Sequence, residues 1–310
     1  ENVKYSDGCA NPDYAKRTQY SGDMIHREAL EWLDLQTKGP PFYGFFTYTL
    51  PHAELYQPND SILKAYYGSF CNDKTFAGVD RYHATVNTHA QFAAMITRLD
   101  AYVGEIMAKL KEKGLDDNTI LIFSSDNGPH EEGGADPDFF GRDGKLQGKK
   151  RSCLEGGIRI PFIVRWPGHV KAGTVNDHIL AFYDIMPTFC DLIGQKNYTE
   201  RFGNKKVKHD YFDGISFAPT LLGTGEQVEH DFLYWEFHET NQMAVRKGDW
   251  KLYVNHGQCK LFNLATDIHE DTDVSSAHPD IVKELVKIIH EQHTTPDVSA
   301  FNTVTLPQSN

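Results

Sequence analysis

The chain has 310 residues, of which 40% are hydrophobic and 24% charged, the composition of a globular protein with room for one large domain and a smaller one. Its formal net charge of -12 excludes nucleic acid as the main partner, because a phosphate backbone calls for a basic surface. No apolar run is long enough for a transmembrane helix, so no membrane span is expected.

Residues 1–20 are polar and irregular and read as a tail or surface loop. Over 24–35, Ile25, Leu30 and Leu33 recur at helical spacing, and Gly39-Pro40-Pro41 breaks the pattern. Residues 42–49 are aromatic and β-prone and read as a buried strand ending in Leu50-Pro51-His52. A long connection over 53–88 carries one helical turn near 61–67. Phe92, Met95, Ile96, Leu99, Val103, Ile106, Met107 and Leu110 then trace one face of a helix of about six turns, closed by Gly114. A strand over 119–123 follows directly. Strand, helix, strand is a crossover unit, so the strands at 42 and 119 are expected to run parallel, with His52 at the same sheet edge as Asp126 and Asn127.

The stretch 119–166 holds the densest chemistry. Two apolar runs, 119–123 and 161–166, flank a loop with Asp126-Asn127-Gly128 at its start and Lys149, Lys150 and Glu155-Gly156-Gly157 near its end. Ligands of open α/β sheets sit at the carboxyl ends of strands, where Asp126 and Asn127 fall. A carboxylate and an amide carbonyl are hard oxygen ligands suited to calcium or magnesium, although two are too few for a complete calcium shell. A lysine adds a point charge for a sulfate or phosphate oxygen. Lys149, Lys150, Arg151 and Arg159 form a basic island in an acidic chain, able to focus an anion despite the net charge. An isolated Asp-Asn-Gly is also an ordinary turn, so the triplet alone decides nothing.

Past this loop, 183–192 reads as a short helix and 195–230 as a turn-rich passage. Four short runs, 231–237, 243–246, 250–254 and 260–264, are separated by Lys247-Gly248 and His256-Gly257 and predict an antiparallel sheet. An amphipathic helix over 281–290 should pack on it, and the last fifteen residues read as a tail. The five cysteines, Cys9, Cys71, Cys153, Cys190 and Cys259, form no Cys-x-x-Cys pair, which excludes a zinc ribbon or thioredoxin motif. Cys153 is read as structural, and Trp166, Trp235 and Trp250 as core. Asn59-Asp60-Ser61 and Asn197-Tyr198-Thr199 match glycosylation acceptors, a pattern common by chance.

The motifs Ser125-Asp126-Asn127-Gly128-Pro129-His130, Leu146-x-Gly148-x-Lys150-Arg151, Glu155-Gly156-Gly157-Ile158-Arg159-x-Pro161 and Arg165-Trp166-Pro167-Gly168 stand in this order along the chain. Together they resemble the sulfatase family of the alkaline-phosphatase-like superfamily, and bacterial carbohydrate sulfatases in particular. Tyr48-Thr49-Leu50-Pro51-His52-Ala53, Asp184-Ile185-Met186-Pro187-Thr188, Asp213-Gly214-Ile215-Ser216, Tyr234-Trp235-Glu236-Phe237-His238-Glu239 and Ala244-Val245-Arg246-x-Gly248-Asp249-Trp250-Lys251 extend the likeness over nearly the whole chain. One departure stands out. The family's Cys/Ser-x-Pro-x-Arg motif, whose first residue becomes the formylglycine nucleophile, is absent, and Cys9 is followed by Ala10-Asn11-Pro12. The paired aspartates that complete the family's metal site are absent too, so the chain reads as the C-terminal portion of a sulfatase, inactive alone, with the missing N-terminal segment as a partner.

The resemblance implies an α/β fold with an alkaline-phosphatase-like central mixed sheet flanked by helices, incomplete here, and a smaller C-terminal α+β domain with an antiparallel sheet. The expected domains are 1–220 and 221–310. The implied function is hydrolysis of a sulfate ester on a sulfated carbohydrate, in the periplasm or outside the cell. Asp126 and Asn127 are the implied ligands of Ca2+, with Mg2+ as the alternative. Lys150, with Lys149 as its neighbouring alternative, grips the sulfate, and His52 protonates the departing sugar oxygen. His130, Glu236, His238 and Arg246 are candidates for substrate contact. Competing readings are a phosphoesterase of the same superfamily and a non-catalytic carbohydrate-binding remnant.

Overall fold

The computed structural model describes residues 18–79, 82–141, 146–195 and 213–308. The leading residues 1–17 with Cys9, and the acceptor triplet at 197–199, lie outside them. The chain divides into two compact units. One takes the described residues up to Thr119 together with those of Asp126–Lys150 and Gly156–Ile160; the other takes Ile120–Ser125, Arg151–Glu155 and the described residues from Pro161 onward. The two units interleave along the chain between Thr119 and Pro161.

The first unit is built on two helices, α1 (Ser21–Asp34) and α3 (Thr88–Glu112), with the single turn α2 (Ser61–Lys64) between them in sequence. Gly114, with φ of +63°, ends α3 as expected. The inward row of α3 differs in part from the apolar face expected. Ala90, Ala94, Arg98, Tyr102, Ile106 and Leu110 are buried at every fourth position, while Ile96 is exposed. Polar residues take interior places because their partners are supplied. Arg98 donates to Gln57 Oε1 at 3.2 Å, Asp23 Oδ1 at 3.2 Å and Asp60 Oδ2 at 2.5 Å, and the Tyr102 hydroxyl donates to Asp23 Oδ1 at 2.5 Å. Asp60 also accepts from Ile62 N and Leu63 N, capping α2. Leu50, Leu55, Met95 and Tyr102 form the apolar core beside this cluster.

The expected crossover is not what the structure shows. Residues 42–49 are extended but join no ladder among the described residues, and Tyr43 and Phe45 are exposed. The segment has the composition of a strand, yet composition cannot supply the neighbouring backbone that a ladder requires.

In the second unit β1 (Leu121–Ser124) pairs antiparallel with β2 (Phe162–Arg165), Leu121 opposite Arg165. The chain between them includes the single turn α4 (Glu155–Ile158). Helix α5 (Ile185–Leu192) and the short α6 (Ala218–Leu222) follow. Two of the motifs meet here. Buried Asp184 accepts from Ala181 N, Ile215 N and His230 Nε2, and a Cβ on Gly214 would lie 2.0 Å from the Tyr183 carbonyl oxygen.

Strands β3 (Leu233–Phe237), β4 (Gln242–Lys247), β5 (Trp250–Asn255) and β6 (Gln258–Asn263) form the expected antiparallel sheet in sequence order. The β5–β6 turn has two residues, His256 and Gly257, both with positive φ, the backbone that matches strand twist in a tight hairpin. Helix α7 (Pro279–Gln292) packs Leu285, Val286, Ile288 and Ile289 against Met243, Val245, Leu252, Val254 and Leu261. Trp250 lines this core, and Trp235 a second one around Cys153, Tyr253 and Phe262. Burial pushes the Cys153 thiol up to about 11, which fits its reading as structural. The expected C-terminal tail is instead docked. Val304 and Leu306 join the helix-sheet core, and Thr305 N donates to Asn241 Oδ1 at 2.7 Å.

Candidate functional site

The geometry begins with backbone contacts that clamp two loops of the first unit together. Gly128 N donates to Gly157 O at 2.9 Å, Lys150 N to Pro129 O at 2.8 Å and Gly156 N to Gln147 O at 2.7 Å. A Cβ at Gly128 would fall 1.9 Å from Gly156 O, so this approach requires glycine. The loop that starts with Asp126 and Asn127 is thereby held against the loop that carries Lys150.

Lys150 then reaches a residue 98 positions away. Its Nζ donates to His52 Nε2 at 2.7 Å. His52 Nδ1 lies 3.0 Å from Ala53 O, and this carbonyl assigns the ring proton to Nδ1, leaving the Nε2 lone pair toward the lysine. The His52 ring stacks on His130, with centroids 5.0 Å apart and planes 13° apart. His130 is 8% exposed, donates from Nε2 to Pro51 O at 2.9 Å and accepts from Glu132 N at 3.2 Å. Burial pushes its imidazole below the ordinary histidine range, and His52 and Lys150 push the same way, against the Pro51 carbonyl and Glu132. A proton on Nε2 and a lone pair on Nδ1 describe a neutral ring in this hydrogen-bond arrangement.

Glu132 is a participant that sequence reasoning missed. Its carboxylate lies 3.5 Å from Lys150 Nζ and 3.0 Å from His130 Nδ1. A carboxylate is unexpected beside a proposed anion site. Its only signal in the sequence is its place two residues after His130, before Gly133 and Gly134, whose positive φ values turn the chain back. A Cβ at Gly133 would lie 2.7 Å from the Ala53 Cβ, so this turn also seats the His52 loop. Lys149, the alternative to Lys150, forms an ion pair with Glu131.

Asp126 is exposed, and Asn127 Nδ2 donates to Gly128 O at 3.0 Å. The pair offers donors of the right kind for a hard cation, but among the described residues no group of three or more His, Cys, Asp or Glu is arranged to hold a metal ion. The described residues therefore make an incomplete metal shell.

The other three candidates belong to the second unit. Glu236 accepts from the Tyr234 hydroxyl at 2.5 Å and lies 2.9 Å from His293 Nδ1. The His238 ring packs against Phe301, with centroids 5.0 Å apart. Arg246 donates from Nε to Gly248 O and lies 3.6 Å from buried Glu155. Each has a local structural partner, and the His52–Lys150 contact is made without them.

The family model described as Sulfatase matches residues 1–195. The chain belongs to the sulfatase family. A second model, N-sulphoglucosamine sulphohydrolase, C-terminal, matches residues 148–295 of the same sulfatase chain. The N-acetylgalactosamine-6-O-sulfatase of Bacteroides thetaiotaomicron is 30% identical over 71% of this chain and 47% of its own length. The N-acetylgalactosamine-6-sulfatase of Mus musculus is 26% identical over 81% of this chain and 42% of its own. Among solved structures, Ps i-CgsB in complex with k-i-k-neocarrahexaose superposes with a TM-score of 0.71 and 28% identity, over 89% of this chain and 55% of that one. The chain thus spans about half the length of the relatives it matches. Its fold is the α/β, alkaline-phosphatase-like fold of this family, with the antiparallel sheet towards the C-terminus. No helix among the described residues is long and apolar enough to cross a membrane.

Proposed function

We propose that this chain supplies the sulfate-gripping half of a sulfuric ester hydrolase that acts on a sulfated carbohydrate. The observation that carries the reading is the 2.7 Å contact between Lys150 and His52, with Lys150 N bonded to Pro129 O just after the Asp126-Asn127 turn, in a member of the sulfatase family. The named activities of its relatives, N-acetylgalactosamine-6-sulfatases among them, support a sugar as the leaving group. Export to the periplasm or beyond the cell belongs to the same proposal, since sulfated glycans lie there.

Each residue has a task. The Lys150 ammonium has three N–H donors; one meets His52, and its side chain is 20% exposed, so a sulfate oxygen can approach it. Glu132, 3.5 Å from the ammonium, keeps it in place. His52, when it carries a proton on Nε2, can hand it to a departing sugar oxygen, and the Lys150 ammonium beside it stays charged and favours that release. Neutral His130 fixes the plane of His52 without adding positive charge. Asp126 and Asn127 would contribute to a calcium site, and no step is assigned to that ion because the shell is incomplete. The nucleophile is not among these residues, since the sequence has no Cys/Ser-x-Pro-x-Arg motif.

The test is binding. Calorimetry with N-acetylgalactosamine 6-sulfate, its unsulfated parent and its 6-phosphate should show preference for the sulfated sugar. Lys150→Ala should weaken that binding by about tenfold or more. Equal binding of the unsulfated sugar would overturn the reading, and a preference for the phosphate would favour a phosphoesterase.

A further inference from the structure

We propose that Phe139 and Phe140 form a stacking platform for a further sugar residue of the same oligosaccharide, so that the protein selects a sulfated oligosaccharide over a single sulfated sugar. The inference rests on the reading of the site given above and adds the substrate length and the residues that sense it.

Phe139 is 44% exposed and Phe140 38%, although both belong to a packed aromatic cluster. Phe139 is not a loose side chain. It lies flat on His89, with ring centroids 3.6 Å apart and planes 5° apart. A ring packed on one face and exposed to this degree presents its other face outward. Its support is itself fixed. His89 is 2% exposed, with Nδ1 3.3 Å from Asp73 and Nε2 3.3 Å from Asp136. Asp136 also accepts from Phe139 N at 3.1 Å, so one carboxylate fixes both the ring and the surface beneath it. Phe140 and Phe70 stand edge-on to Phe139, at 5.1 and 5.5 Å, and form walls beside a flat floor.

A run of aromatic rings links the platform to the site. The link is a relay of rings that runs inward, through buried His130: Phe140 lies 5.3 Å from Phe92, Phe92 lies 6.2 Å from His130, and His130 lies 5.0 Å from His52, all within the first unit. The apolar C–H face of a pyranose matches an outward aromatic face, where C–H groups meet the negative π cloud. Lys74, 63% exposed and ion-paired with Asp136, stands at the rim and gives a second sulfate on the same oligosaccharide a cationic partner. An exposed aromatic patch beside a polar site is the form that ligand-binding surfaces take.

The experiment uses the full chain, with N-acetylgalactosamine 6-sulfate and a tetrasaccharide bearing the same sulfated sugar at its end as probes. Wild type should bind the tetrasaccharide more tightly than the monosaccharide. Phe139→Ala should lose about tenfold in tetrasaccharide affinity and leave monosaccharide affinity unchanged, while Phe139→Tyr keeps both. Lys150→Ala should weaken both probes alike. Equal affinity of wild type for the two probes, or loss of both probes in Phe139→Ala at an unchanged melting temperature, overturns the platform while leaving the sulfate site standing. Indifference of both probes to Lys150→Ala overturns the reading of the site itself.

Discussion

The helix-sheet core of the second unit and the site-bearing loops of the first are held together by different means. In the former, each strand pairs with its neighbour in sequence, and Lys251 is buried completely between Glu155 and Glu270, at 2.8 and 2.9 Å. In the latter, the candidate side chains ride on irregular segments, clamped by backbone hydrogen bonds and glycine close approaches. Regular packing thus secures the framework, while the proposed site sits where the backbone has the fewest repeating contacts and depends on individual residues for its shape.

The largest effect that would undo this contrast is removal of Lys251. Lys251→Ala leaves two buried carboxylates facing each other and should cost about 3–5 kcal/mol in denaturant unfolding of the second unit. A loss below about 1 kcal/mol would show that the buried charges are not what locks this core. Next comes Gly128→Ala. The new Cβ must displace the Gly156 carbonyl, at a cost of about 1–3 kcal/mol, and should lower sulfated-sugar affinity, because the loop carrying Lys150 moves with it. Unchanged affinity would mean that the clamp does not position the lysine.

Amide exchange probes the same difference without mutation. Residues 242–247 and 250–255 lie in paired strands and should exchange far more slowly than 42–49, which join no ladder among the described residues. Comparable protection would show that 42–49 finds a partner strand in solution. The smallest effect concerns Asp136. The Lys74 ammonium beside it holds its carboxyl down to about 2, with His89 and the Phe139 amide helping against the effect of burial. A depressed carboxylate stabilises the fold above its unfolded pKa of about 3.9 and loses that contribution as pH falls through its folded value. Acid unfolding followed between about pH 4 and 2 should therefore be shallower in Asp136→Asn, and an identical profile would remove Asp136 from the stability of the platform.

Much of the fold was legible in the chain because it is local. The four strands after residue 230 and the helix that covers them follow from alternation, hairpin turns and a helical apolar stripe, each readable within about ten residues. The pairing of His52 with Lys150 was anticipated through motifs, yet the route expected for it, a parallel crossover from 42 to 119, is not the one found. Phe42, Phe45 and Phe46 signal an extended segment, but whether it pairs depends on backbone elsewhere. The docking of Val304 and Leu306 was missed for the same reason, since two apolar residues in a polar tail carry no periodic signal.

The family, the hairpin order and the residue types able to grip an anion could all be read from the residues alone, because they reside in short-range patterns and fixed chemistry. It took the folded chain to reveal that Glu132 joins Lys150 and His130, that Arg98 belongs inside, and that Phe139 lies flat on a histidine. Those facts arise from groups distant in sequence that meet when the chain closes on itself, and no spacing along a strand or helix encodes such meetings.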